Sequence, residues 1–406
     1  MKPWLTVIGI GDDGLAGLAS VARTLIETTE LLVGGARHLA MVPEGAAGRL
    51  IWQQPFAETI GAIAAQRGRR VIVLASGDPM WYGAGATLTR HFPRDEMLVV
   101  PHPGAFSLAA ARLGWPLAEC ATLSLHGRPL DALRLHIAEG CRLLLLSEDG
   151  ATPAAVARLL TDAGWGPSRL TVFEHLGGPE EAAHEAAAIE WGERDVADLN
   201  TIALECRAVP GTRGLSRLAG LPDDAFAHDG QLTKHEIRAA TLAALAPLPG
   251  ELLWDAGAGC GSVAIEWLRA ADRTAAIAIE RDTARIALIA RNAAALGVPR
   301  LEVVHGTAPA ALAGLPPPDA IFAGGGLSDP ALLPMLWGAL RPGGRLVANV
   351  VSIEGERALL DWHAAHGGVL TRLAISRAEP LGKPPGARLG WRALAPVTQL
   401  LCVKPG

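Results

Sequence analysis

Asp255, the glycines of Gly257-Ala258-Gly259-Cys260-Gly261 and Glu280 are spaced as a nucleotide-cofactor site requires. The stretch LLWDAGAGCGSVAIEW (252–267) reads as a buried strand, a glycine turn and the first turns of a helix. That arrangement brings backbone amides up to a ligand. Glu280 closes the following apolar run, AAIAIE, where a carboxylate can accept both hydroxyls of a ribose. The loop spells G-x-G-x-G, with Ser262 in the sixth position, which leans away from the G-x-G-x-x-G of dinucleotide sites. A loop of this kind follows the first strand of its own domain. It begins here only at residue 257, so a different domain must precede it.

The upstream half carries its own loops. ASGDPMWYGAG (75–85) follows the strand-like RVIVL, and its tight Gly-Asp-Pro turn lacks the lysine of a nucleoside triphosphate loop. VIGIGDDG (7–14), VVPHPGAFSLAAARLG (99–114), SLHGR (124–128) and FEHLGGPEE (173–181) are further turn segments, each following an apolar run or opening a helical pattern.

The elements that must hold these residues alternate throughout. WLTVIG, RVIVLAS, MLVV, RLLLLSE and LTVFEH punctuate alanine-rich helical patterns in the first half, and ELLWDA, AAIAIE, LEVVHG, DAIFAG and GRLVANVV restart the pattern in the second. This is an α/β chain with two largely parallel sheets. Residues 208–229 are rich in Gly, Pro and turn formers and read as the linker, leaving domains at 1–207 and 230–406. With 50% hydrophobic and 19% charged residues, both halves can bury a core. The net charge of −5 gives no basic footprint for nucleic acid. The N-terminus enters a strand without a secretory pattern, and no apolar run is long enough to span a bilayer, so a cytoplasmic chain is expected. Five scattered cysteines without a Cys-x-x-Cys pair suggest no metal site.

Taken in order, the upstream segments resemble the class III, or tetrapyrrole, methylases, whose fold places S-adenosylmethionine between two α/β subdomains. The resemblance implies cofactor contacts from Gly9, Gly11, Gly77, Asp78, Pro79, Met80, Ser107 and His126. Residues 230–406 resemble class I methyltransferases, with a Rossmann-like, mainly parallel seven-stranded sheet that ends in an antiparallel pair. In that family an acidic residue at the position of Asp255 stands beside the methionine portion, and a segment like HGTAPAAL (305–312), here with Thr307 and Ala308, lines the adenine. The turn QLTK (231–234) resembles one that covers the cofactor in corrin-pathway decarboxylating methyltransferases. Thr233 there is also expected to cap the next helix, with Glu236 completing a capping box.

These resemblances imply two S-adenosylmethionine sites, one per domain. They also imply methylation of a reduced tetrapyrrole, precorrin-6B, at C5 by the first domain and at C15 by the second. The second domain would also remove CO2 from the ring C acetate, giving precorrin-8. Arginine and lysine suit the remaining substrate carboxylates. The candidates are Lys234, Arg238, Lys383, Arg388 and Arg392 in the second half, and His102, His126 and Arg128 in the first. Trp81 and Tyr82 are suited to packing on a macrocycle, although aromatics in a helix's first turn more often belong to the core. A homo-oligomer is expected by analogy with both families. Several readings stay open: the same reactions on a cobalt-containing ring, a half that has lost its chemistry, an RNA methyltransferase, and, least supported, a nicotinamide oxidoreductase.

Overall fold

The computed structural model describes residues 3–53, 55–381 and 388–406. Its chain divides into two units, one of residues 1–130 and 136–213, the other of residues 131–135 and 214–406.

The first unit contains two five-stranded sheets. β1 (Leu5–Ile10), β2 (Leu31–Gly34), β3 (Gly48–Ile51), β4 (Val71–Ser76) and β5 (Met97–Val100) form an all-parallel sheet in the order β3-β2-β4-β1-β5. Alternate residues of β1 and β4 enter two separate cores: Val7 and Val73 on one face, Ile8 and Leu74 on the other. Burial of both faces explains why these strands are continuous apolar runs. The second sheet has β6 (Cys120–Ser124), β7 (Arg142–Leu146), β8 (Arg169–Glu174), β9 (Ala182–Ala187) and β10 (Asn200–Glu205) in the order β6-β7-β10-β8-β9. Only the β6–β7 pair is parallel.

In the second unit, β11 (Leu252–Ala256), β12 (Ala275–Glu280), β13 (Glu302–His305), β14 (Ala320–Ala323), β15 (Arg345–Val350) and β16 (Val369–Leu373) belong to a seven-stranded sheet. β17 (Ser376–Leu381) and β18 (Arg388–Ala393) stand apart as an antiparallel ribbon. β19 (Val397–Val403) completes the large sheet, whose order is β13-β12-β11-β14-β15-β19-β16. The stretch RLGWRA therefore lies outside the main sheet, and β19 alone runs antiparallel between β15 and β16. Among the described residues, no helix is long and apolar enough to cross a membrane, and no group of three His, Cys, Asp or Glu is placed to hold a metal ion.

Candidate functional site

The crossing from β11 to the helix Ser262–Ala270 builds the wall of a cavity of about 750 Å³. Gly261 turns the chain with φ +80°, and a Cβ there would stand 3.1 Å from Ile289, so only glycine fits both the backbone and the space. The loop is tied to β12: Gly257 and Ala258 donate to the Ile279 carbonyl, and Gly259 N–H donates to Glu280 Oε2 at 2.8 Å. Glu280 Oε1 accepts from the backbone of Arg281 and Asp282, which fixes the carboxylate at the cavity wall with lone pairs to spare. Thr307 and Ala308 line the same cavity.

Asp255 sits behind this loop, 1% exposed. Its Oδ2 accepts from Ala264 N–H at 3.1 Å, while Oδ1 is buried with no partner among the described residues. Burial, with Glu280 nearby, pushes its carboxyl up to about 7. An orphaned carboxylate oxygen beside a glycine cradle fits a ligand that brings a cationic amino group.

The turn QLTK contributes Thr233 and Lys234 to the cavity lining, but the helix starts differently from expectation. It runs His235–Leu245 with Lys234 at the N-cap and no side-chain cap. Glu236 is drawn away by Arg377, which donates to both its oxygens, so no capping box forms. Arg238 is also no substrate contact. It is 0% exposed, donates to Glu266 Oε1 at 2.6 Å and to the carbonyls of Thr233 and Leu221, and lies over the Phe226 ring. Its donors are consumed in holding the QLTK turn from beneath. Arg388 and Arg392 stand on the exposed ribbon outside the cavity lining, Arg392 paired with Glu379 at 3.1 Å. Lys383 lies outside the described residues. Lys234 is thus the one described lysine or arginine candidate of this half that lines the cavity. Asn349 also lines it, held by Thr241 and Gln399 in a buried polar network. A lone amide inside the apolar strand LVANVV was its signal in the sequence.

A second cavity, of about 290 Å³, opens where β1 and β4 end, with Leu146, Phe173 and Thr201 of the other sheet as its opposite wall. Gly11, Gly77, Asp78 and Ser107 line it; Gly9, Pro79, Met80 and His126 do not. Gly9 has a packing role instead, since a Cβ there would strike the Gly77 carbonyl and the His102 backbone. Met80 N–H closes the Gly-Asp-Pro turn onto Asp78 Oδ1 at 2.8 Å. His126 is largely exposed and 3.9 Å from Glu148, whereas His102 is nearly buried, its Nε2 3.6 Å from Asp13. Trp81 and Tyr82 precede the helix, which begins at Ala84, instead of lying in its first turn. Trp81 lines the cavity, half-exposed. Tyr82 has φ +57°, its hydroxyl donates to the Thr122 carbonyl, and Arg128 sits 4.7 Å from its ring centre. Asp12, Arg37 and Ser76 also line this cavity and were not singled out by sequence.

Residues 4–188 match the family model of Tetrapyrrole (Corrin/Porphyrin) Methylases, and residues 224–404 match that of the Precorrin methyltransferase domain. Over 98% of its length the chain is 49% identical to a precorrin-6Y C(5,15)-methyltransferase [decarboxylating] of Sinorhizobium sp, covering 96% of that protein. The chain belongs to this family. Membership makes it a methyltransferase and accounts for the pairing of a tetrapyrrole-methylase unit with a second methyltransferase unit. Two shorter relatives come from Salmonella typhimurium. One is a cobalt-precorrin-7 C(5)-methyltransferase, 30% identical over 44% of this chain and 89% of its own. The other is a cobalt-precorrin-6B C(15)-methyltransferase (decarboxylating), 35% identical over 37% of this chain and 80% of its own.

Proposed function

We infer that this chain methylates precorrin-6B at C5 and C15 and decarboxylates its ring C acetate in cobalamin synthesis. Each unit holds its own S-adenosylmethionine, the first serving C5 and the second C15 and the decarboxylation. The observation that carries this reading is the presence of two cavities, each at the carboxyl ends of its own parallel strands, in a chain that aligns nearly end to end with a C5,15-methyltransferase. The existence of separate C5 and decarboxylating C15 relatives supports dividing the two reactions.

Bound S-adenosylmethionine supplies an electrophilic methyl group. In the second unit Glu280 would take the ribose, with Thr307 and Ala308 along the base, and Asp255, behind the glycine loop and outside the cavity lining, would offer its unpartnered Oδ1 to the amino group. In the first, Gly11, Gly77, Asp78 and Ser107 offer the lining. An electron-rich meso carbon needs no strong base, so the protein's work is to align it and exclude water, and the apolar walls formed by Phe322, Leu327 and Leu332 suit that. On decarboxylation the C–C electrons pass into the conjugated ring, and a proton returns to the remaining carbon, which becomes a methyl group. Lys234, which lines the cavity, would hold a substrate carboxylate. Exposed Trp391, Leu389 and Leu381 on the ribbon support assembly into a homo-oligomer.

Mass spectrometry of products from precorrin-6B and S-adenosylmethionine tests this. Two added methyl groups with loss of CO2 are expected, and an unchanged tetrapyrrole would overturn the reading.

A further inference from the structure

Arg37 stands on the short helix Ala36–Ala40 after β2, and it is the one cation lining the N-terminal cavity among the described residues. Three side chains fix its guanidinium. Nη1 donates to Asp12 Oδ1 at 2.8 Å, and Nη2 donates to Ser76 Oγ at 3.2 Å and lies 3.3 Å from His38 Nε2. His38 is itself bonded to Ser76 at 2.9 Å, and burial, then the charge of Arg37, brings its pKa down to about 4. It is therefore neutral near pH 7 and does not oppose the guanidinium. Asp12 is braced from the other sheet: His175 Nδ1 lies 2.9 Å from Asp12 Oδ2. His175 follows β8 with φ +48°, a costly backbone state for a side chain that is not glycine. Gly178 leaves room for this contact, since a Cβ there would stand 2.5 Å from Asp12 Oδ2. The carboxyl end of the parallel sheet and the carboxyl end of β8 thus converge on one arginine that remains 40% exposed.

An arginine has five donors, and those of Nε and one Nη1 hydrogen have no partner here among the described residues. The other charged lining residues are Asp12, already paired with Arg37, and Asp78, whose Oδ1 accepts from Met80. We propose that Arg37 is the carboxylate anchor of the N-terminal cavity, held by Asp12, Ser76 and His38 with two donors free for a ligand. This rests on the reading of that cavity as the C5 methylation site. Two ligands there bring carboxylates, the methionine end of the methyl donor and the acetate and propionate arms of the macrocycle, and both suit the planar guanidinium fork.

The test uses the full chain with precorrin-6B and S-adenosylmethionine, following C5 and C15 methylation separately as each reactant is varied. Arg37→Gln should raise one KM for C5 methylation about ten- to hundredfold, as expected for loss of a charge-assisted bond. C15 methylation should be unchanged, and Arg37→Lys should recover part of the loss. A raised KM for precorrin assigns the carboxylate to the macrocycle; a raised KM for S-adenosylmethionine assigns it to the donor. If both KM values stay within about twofold of the native protein, whether or not kcat falls, the anchor is overturned. Ser107→Trp, which fills the same cavity, separates this from the underlying reading. C5 methylation that survives Ser107→Trp removes the C5 site from this cavity, and the anchor with it. C5 methylation lost in Ser107→Trp but normal in Arg37→Gln removes the anchor alone.

Discussion

At the scale of single residues, Asp255 makes the most direct claim on measurement. Its carboxyl stands at about 7 against an ordinary 3.8, because burial penalises the charged form and Glu280 adds repulsion. A raised carboxyl means that the folded chain holds a proton which the unfolded chain has released. Between about 4 and about 7 the unliganded unit therefore loses stability as pH rises. A ligand's amino group reverses the preference, because it pairs with the ionised form. Binding of S-adenosylmethionine at this site should weaken about tenfold for each pH unit below 7, be tightest between about 7 and 8, and weaken again above about 8 as the ligand's α-amino group loses its proton. Asp255→Asn should flatten that dependence and weaken binding about ten- to hundredfold at pH 8. Titration calorimetry across this range decides it, and a flat profile in the native chain would exclude Asp255 as the partner. Asp255 and Glu280 were legible in the sequence because one strand-loop-helix-strand run carries both. Arg37, Asp12 and His175 were not, since a short helix and two separate turns meet only in the fold. Arg238 misled for the opposite reason, because charge type is visible in a sequence whereas complete burial is not.

At the scale of elements, the ribbon β17–β18 is attached to the helix His235–Leu245 through Arg377. That residue donates to both oxygens of Glu236, to Asp223 Oδ2 and toward His235. The contact holds Glu236 down at about 2, and its chief cause is the bonding to Arg377. With the folded pKa depressed below 4.5, this tie contributes above that value and is lost as pH falls through about 2. Glu236→Gln should therefore speed amide hydrogen exchange across residues 376–381 and 388–393 at neutral pH, leaving β11 and β12 protected. Equal exchange in both proteins would show that the tie does not hold the ribbon. Ile375 and Leu394, at the ribbon's root, line the cavity, so looser anchoring should also raise KM in the C15 reaction. Strands β1, β4, β11, β12, β14 and β15 were legible because buried parallel strands are near-continuous apolar runs, whereas the short β2 and the largely exposed β3 and β16 were not picked out. The Thr233 capping box was not realised, because its acidic member is claimed by a residue 141 positions away. Local pattern cannot register such competition.

At the scale of the whole molecule, the segment between the two units shows how composition and packing diverge. Residues 208–229 have the glycine and proline content of a linker, yet from Gly214 onward they belong to the second unit. Two buried arginines depend on that segment. Arg269, 1% exposed, donates to the carbonyls of Leu215 and Ser216, and Arg238 donates to that of Leu221. Glu266 accepts from the backbone of Gly220 and Leu221, and Leu221 and Phe226 enter the core beside Trp267 and Leu268. A fragment of residues 230–406 would keep every cavity-lining residue of this unit while stripping these acceptors from buried guanidiniums and uncovering an apolar face. Loss of partners around a buried charge costs about 3–5 kcal/mol, and removal of a core phenylalanine a similar amount, which together approach the whole stability of an ordinary domain. A fragment of residues 214–406 retains all of these contacts. It should be monomeric or discretely oligomeric by gel filtration, melt cooperatively and bind S-adenosylmethionine, whereas residues 230–406 should aggregate or melt without a transition. If the shorter fragment folds and binds as well as the longer one, the buried arginines are held by the rest of the unit, and 214–229 is a linker after all.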